Sequence, residues 1–518
     1  MSRKTILKKT AQIGISTLLS RVFGIVRELL MVRYLGASSV SDVFLTAYRI
    51  PNSLRKIFAE GALSAAFVPT AIAAMHQKKT HSIAGLMTLC FFFFEGILAC
   101  VCTLVMIFAH HVLHFIAPGF SPEQIALAVP LVRILMPFIM FISSSALLAG
   151  ALHTVNHFFI PACAPIIINT VFITGLAVCL AYELPVQVLC WFIILGGVAH
   201  FLAHLIMYKK YNLHFSAPTN NDYSHFKNIV KTFLLCLPSA SLTEIALFID
   251  TSFASFLPAG SLSLISYANR FVGIPLGVFS VAFSTVLLPH FSRITAHRPQ
   301  RLPFYFLESA KLILWVTAPT SLLMIFFSHD IFSTLFLSSK FTLQQVNQAA
   351  LLLSAFCCGL FFISLNKIIL TIVYALHAAW LSSLVALATV SINVLLNILL
   401  ITHFQSLGIA CATTIAYICQ TILLLTILTK KYNFRLYYGP FFSYTLRYLV
   451  QLFCMSLFFY YTYNAILIVM STILSPTYAP FFITKIGLWL WVGPLALMCM
   501  FFLWKTRSLF KIRLYFLS

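Results

Sequence analysis

Negative charge is what this 518-residue sequence has least of. Asp and Glu together number 11 against 33 Lys and Arg, and charged side chains are 8% of the chain, where ~25% is usual in a soluble domain. A soluble fold cannot cover a chain that is 61% apolar with so few charges. The same scarcity excludes disorder, a collagen-like repeat and a secreted disulfide scaffold. Metal and redox spacings are missing as well. The 13 cysteines contain no CxxC, and most lie in apolar runs, where a thiol behaves as a small hydrophobe. His200 and His204 stand at i and i+4 with no Cys or carboxylate beside them. There is no nucleophile elbow, phosphate loop or HExxH pattern, so nothing supports an enzyme. The formal charge of +22 does not argue for nucleic acid, because the basic residues sit in small clusters between apolar runs, the pattern of cytoplasmic loops.

What the sequence does have is long apolar runs, with 51 Phe and a mean hydropathy of +0.98. The runs are continuous and not alternating, which excludes a barrel and predicts helices. A span needs ~20 apolar residues. Runs of that kind occupy 12–33, 41–72, 85–109, 126–152, 158–181, 186–207, 229–257, 262–290, 309–335, 348–376, 380–402, 406–429, 447–471 and 483–504. The expected fold is therefore an all-α polytopic membrane protein with fourteen transmembrane helices. In that count the basic clusters at Arg3–Lys9, Lys78–Lys79, Lys209–Lys231, Arg293–Arg301, Lys430–Arg435 and Lys505–Arg513 all fall on one side. The opposite loops 110–124, 182–185, 257–261 and 472–480 have no Lys or Arg, and Lys340 is the exception. The positive-inside rule then places both termini in the cytoplasm.

The sequence also repeats. Tyr-Lys-Lys-Tyr-Asn at 208–212 returns as Thr-Lys-Lys-Tyr-Asn at 429–433, and Ala-Leu-His at 151–153 returns at 375–377. Asn169 falls on Asn393, and Arg49 on Arg270, each arginine followed shortly by Ile-Pro. Several matches at nearly one offset predict two six-helix lobes, 1–220 and 221–440, around a central cavity, plus a helix pair in 441–518. Duplicated lobes meeting at a midplane site are the architecture of alternating-access transporters.

Spans 1 and 2 carry Arg21, Arg27, Arg33, Arg49, Arg55 and Lys56 against Glu28, Asp42 and Glu60. A charge at the bilayer centre costs ~2.5–3.5 kcal/mol even on the forgiving insertion scale. Snorkelling and pairing account for Arg33 and Lys56 but leave the set with a surplus of cations. A water-filled cavity holding an anion would stabilise that surplus, and the planar guanidinium fork suits phosphate. Arg270, in the equivalent helix of the second lobe, supplies an opposing cation. A second group comprises Asp250, Asn393, Asn397 and Thr413. It reads either as interhelical hydrogen bonding or as oxygen ligands for a small cation. Asp250 is read as the one acidic residue well inside that lobe.

The run Ser20-Arg-Val-Phe-Gly-Ile-Val-Arg27, then Leu35-Gly36, Ser41-Asp42, Pro51-Asn52, Arg55-Lys-Ile-Phe-Ala-Glu-Gly61 and Ala66-Phe-Val-Pro69, resembles the signature of the MurJ/MviN lipid II flippases. Ala117-Pro-Gly-Phe120, Tyr267-Ala-Asn-Arg270 and Leu288-Pro289 extend the resemblance over roughly 10–440. It implies a fourteen-helix exporter of a larger superfamily that moves lipid II, the undecaprenyl-diphosphate-linked peptidoglycan precursor, to the periplasmic leaflet of a bacterial inner membrane. It implies that Arg21, Arg27, Arg55 and Arg270 are cavity arginines and Asp42 a required acid, with Ser20, Asn52 and Glu60 in the same motifs. Asp250, Asn393, Asn397, Ile409 and Thr413 resemble a sodium site, with sodium or the membrane potential as coupling energy and no other cofactor. The final two spans would form a groove for the lipid tail. Membrane lipids and cell-wall synthesis or division proteins are the partners that follow. Asn269, Gly273 and Asn397 depart from acidic residues common in the family. The competing readings are a cation-coupled drug or metabolite antiporter of the same superfamily, which would want an acidic cavity, and a flippase for another polyprenyl-diphosphate-linked oligosaccharide. A third is a polyprenyl-phosphate enzyme or a scaffold for cell-wall synthases.

Overall fold

The computed structural model describes residues 3–517 apart from 59–62, 78–82, 156, 377, 474–478 and 486. It describes no side chain at 3–18, 65, 76–77, 239–240, 243, 379, 479–480 or 517. The chain forms two compact units, Met1–Ser263 and Leu264–Ser518. Packing thus groups the helix at 220–255 with the first unit, whereas the repeat counts it with the second half.

The first unit runs α1 (Arg3–Leu35), α2 (Ser39–Arg55), α3 (Leu63–Gln77), α4 (Ala84–Ile107), α5 (Ala109–Ile116), α6 (Pro122–Leu135), α7 (Phe138–Thr154), α8 (Phe159–Ala181), α9 (Val186–Lys210) and α10 (Asn220–Ser255). Local signals set the boundaries. Gly36, at φ 64°, ends α1, and the Ser38 hydroxyl then accepts from the Ser41 N–H at 3.2 Å to start α2. Ser121 and Gln124 form a capping box on α6. The core of this unit packs Phe67, Phe94, Leu147, Leu148, Tyr208 and Phe233. At Gly150 a Cβ would stand 2.6 Å from the Phe67 ring, so glycine lets α3 and α7 close.

The second unit takes in α11 (Ser261–Pro275), whose first turn belongs with the first unit. A π-helical turn at Leu276–Val281 leads into α12 (Ala282–His297). A 3-10 turn (Pro299–Arg301) then precedes α13 (Leu302–Phe326), α14 (Ser328–Leu335), α15 (Leu343–Ala375), α16 (Ala379–Tyr432), α17 (Tyr438–Ile473), α18 (Ala479–Thr484) and α19 (Leu488–Thr506). α16 is two helices joined at Gln405, whose φ of 49° and ψ of −127° are not helical. The sequence breaks its apolar runs at the same place, between 402 and 406. Inside the unit, Asn366 donates to the Tyr417 carbonyl at 3.0 Å and to Gln420 at 2.9 Å, and accepts from Thr421 at 2.8 Å. These bonds satisfy a buried amide and tie α15 to α16.

Each of the fourteen expected runs overlaps a helix, residues 59–62 and 486 within two of them lying outside the described residues. Among the described residues, ten helical stretches are long and apolar enough to cross a bilayer, the kinked α16 counting as one of them. The chain is a multi-pass helical membrane protein.

Candidate functional site

Two polar constructions lie in the first unit. In the first, α1 packs on α8. Arg27 donates to the Asn169 side-chain oxygen at 2.9 Å, and Asn169 in turn donates to the Ser20 carbonyl at 3.3 Å. A second guanidinium nitrogen of Arg27 meets the Glu28 carboxylate at 3.0 Å, and the group lies 5.2 Å from the Phe172 ring centre. Arg27 is therefore a paired cation, held in place by an acid, an amide and an aromatic face.

In the second, α2 and its C-cap Lys56 face α10 and the start of α11. Residues 42, 49, 53 and 56 share one side by helical periodicity; Asp42 reaches the start of α11 and the other three reach α10. The Asp42 carboxylate accepts from the backbone N–H groups of Gly260 and Ser263, both at 2.7 Å. Arg49 donates to the Leu247 carbonyl at 3.1 Å and to the Thr251 hydroxyl. Ser53 donates to Glu244 at 2.6 Å, and Lys56 pairs with Glu244 at 3.0 Å. Glu244 is 4% exposed.

Glu244 corrects the sequence reading of Asp250, which is not the one acid inside that lobe, because Glu244 precedes it in the same helix and is buried. For Lys56 it supplies the carboxylate of the pairing that the sequence reading allowed. The signal was present, an acid in an apolar run opposite a span rich in cations, but pairing across helices cannot be read along one chain. Glu95 was passed over too. It is 7% exposed in α4, where it meets the buried Ser143 and Ser144 hydroxyls of α7.

The other expected residues distribute as follows. Arg55 donates to Asn52 at 3.1 Å and lies within electrostatic range of His200 on α9. Arg21 is exposed on α1. Asp42 is 4% exposed and committed to the turn before α11. It stands thirteen residues from Arg55 along α2, about 20 Å at 1.5 Å per residue, so those two do not share one contact. Glu60 lies outside the described residues. Arg270 is exposed on α11 in the second unit.

The cation-type residues split between the units. Asp250 is on α10 in the first. In the second, Asn397 donates to Asn393 at 3.0 Å, Asn393 approaches Thr413 at 3.4 Å, and Thr413 donates to the Ile409 carbonyl at 2.9 Å. These four come together on the two arms of α16. Among the described residues no group of three or more His, Cys, Asp or Glu is placed to hold a metal.

The family model for Lipid II flippase MurJ matches residues 31–488. A probable lipid II flippase MurJ of Buchnera aphidicola subsp. Acyrthosiphon pisum is 32% identical over 420 residues, 79% of this chain and 81% of that protein. The lipid II flippase MurJ of Burkholderia cenocepacia is 32% identical over 430 residues, 80% of this chain and 82% of the other. A solved lipid II flippase MurJ in an inward closed conformation superposes with a TM-score of 0.76 at 25% identity, covering 96% of this chain and 99% of that one. An inward-facing MATE-family multidrug resistance transporter of the MOP superfamily superposes at 0.66 with 12% identity, over 80% and 96% of the two chains, which speaks to the fold alone. The chain belongs to the MurJ lipid II flippase family.

Proposed function

We propose that this protein flips lipid II from the cytoplasmic to the periplasmic leaflet of a bacterial inner membrane by alternating access, with the diphosphate bound by Arg21, Arg27, Arg55 and Arg270. One observation carries the assignment of the anion. Basic groups in α1 and α2 still outnumber the acids that face or flank them after Glu244 is added to Glu28, Asp42 and Glu60. Such a surplus in apolar helices calls for an anion, and arginine presents a fork that matches phosphate oxygens. A cationic-drug antiporter would need the opposite balance.

In this reading fourteen crossings leave both termini in the cytoplasm. Lobes 1–220 and 221–440 rock about the bound headgroup, and 441–518 holds the lipid tail. Asp250 with Asn393, Asn397, Ile409 and Thr413 couples the cycle to sodium or to the membrane potential. Cell-wall synthases are the partners nearest the product. The test is complementation of a flippase-depleted strain combined with lipid II binding to purified protein. Failure to complement, with no cytoplasmic-face lipid II accumulating on depletion of the native protein, overturns the assignment.

A further inference from the structure

At the turn between α12 and α13, His290, Arg293, His297, Arg298, Arg301 and Tyr305 line a cavity of about 370 Å³. That is within the size range of small-ligand sites, roughly 300–1,000 Å³. Local sequence builds it. Residues 290, 293 and 297 recur at three- and four-residue steps and so share one face of α12. Arg298 caps the 3-10 turn, Arg301 ends it, and Tyr305 stands one turn into α13.

No acid lines the cavity. The nearest on α13, Glu308, is bonded to Lys311 at 2.6 Å and accepts from the Tyr515 N–H at 3.3 Å. Among the described residues Arg293, Arg298 and Arg301 take part in no ion pair. Three guanidinium groups around one concavity repel one another unless an anion sits between them.

Aromatic rings say where that anion comes from. Tyr305 lies edge-on to His290 at 4.9 Å and to Tyr515 at 5.7 Å. Phe304 meets Tyr515 at 5.4 Å, and Phe283 meets Phe516 at 5.5 Å. Tyrosines and their neighbours collect where a membrane helix reaches the headgroup level. Basic pockets beside membrane helices take lipid headgroups there. We infer that this pocket binds the phosphate of a lipid headgroup through Arg293, Arg298 and Arg301. It shares no residue with the proposed transport site, so its readout does not depend on flipping.

The test uses purified full-length protein in phosphatidylcholine nanodiscs doped with phosphatidylglycerol, measuring co-retained lipid by mass spectrometry. Wild type should retain phosphatidylglycerol over phosphatidylcholine. The Arg293→Gln/Arg298→Gln/Arg301→Gln variant should lose about tenfold or more of that preference. Lys209→Gln/Lys210→Gln/Lys227→Gln, which removes equal charge from exposed positions of the first unit, should keep it. Undecaprenyl phosphate in place of phosphatidylglycerol identifies which lipid supplies the phosphate, and retention of either supports the site. Displacement by inorganic phosphate at matched concentration overturns it. So does an unchanged preference in the arginine variant, or equal loss in the lysine control. Should the triple variant not fold, single Arg298→Gln reads the same preference. A wild type that does not discriminate between the two phospholipids overturns the inference without any variant.

Discussion

Asp42 accepts a hydrogen bond from the backbone N–H of Ser263 at 2.7 Å, joining positions 221 residues apart. With the matching bond from Gly260, one carboxylate satisfies two donors at the start of α11, where the helix end also favours negative charge.

Asp42→Asn keeps the shape but loses the charge, and Asp42→Ala loses both bonds. Hydrogen bonds to a charged group are worth about 1.5–3 kcal/mol each, so Asp42→Ala should lower the thermal midpoint more than Asp42→Asn. Equal midpoints for the two variants and wild type would show that the cap contributes nothing. Gly260 should be equally intolerant. Its φ is +92°, and a Cβ would stand 2.6 Å from the Ala37 carbonyl. Gly260→Ala is expected to destabilise more than an alanine at exposed Gly439, measured in the same assay.

The Lys56–Glu244 pair should show coupling. Removing Lys56 alone leaves a buried carboxylate to Ser53, costing about 1.5–3 kcal/mol. Lys56→Met with Glu244→Leu should recover most of that loss, since replacing both partners removes the unpaired charge. A double-mutant cycle in detergent measures it, and strict additivity refutes the coupling.

Arg27 and Arg270 call for different controls. Arg270 is exposed, so Arg270→Ala should fold and weaken lipid II binding about ten- to a hundredfold. Arg27→Ala also removes a cation partner of Glu28, so the informative variant is Arg27→Ala with Glu28→Gln. Arg→Lys should rescue only in part, because the point charge lacks the fork. Normal binding and growth in both alanine variants would remove the arginines from the diphosphate site.

Asp250→Asn should leave expression intact and alter the ion or voltage dependence of transport. One charge crossing 100 mV is worth about 2.3 kcal/mol. Transport unchanged across sodium, proton and voltage conditions would leave Asp250 a structural hydrogen-bonder.

Helices were the legible part of this sequence, because apolar length dictates them one run at a time. Even the break at Gln405 shows, as His403-Phe-Gln-Ser between two apolar runs. The site was legible only as composition. Arg21, Arg27 and Arg55 announce themselves as cations in apolar spans. That Arg27 is held by Asn169, and Lys56 by Glu244, depends on helix packing across more than 140 residues. Glu95 was hidden for the same reason. A single acid beside Phe91-Phe-Phe-Phe94 has no partner near it in sequence, and the hydroxyls it meets, Ser143 and Ser144, stand on another helix.

The bend in α16 has a metric consequence. Asn393 and Thr413 are equidistant from residue 403, and so are Asn397 and Ile409. At Gly408 a side chain would collide with the Leu400 carbonyl at 2.6 Å, so the arms close tightly on that centre. The turn thus acts as a length standard. Losing one residue from it would rotate the second arm by about 100° and swing Thr413 away from Asn393, although every ligand-type residue would still be present.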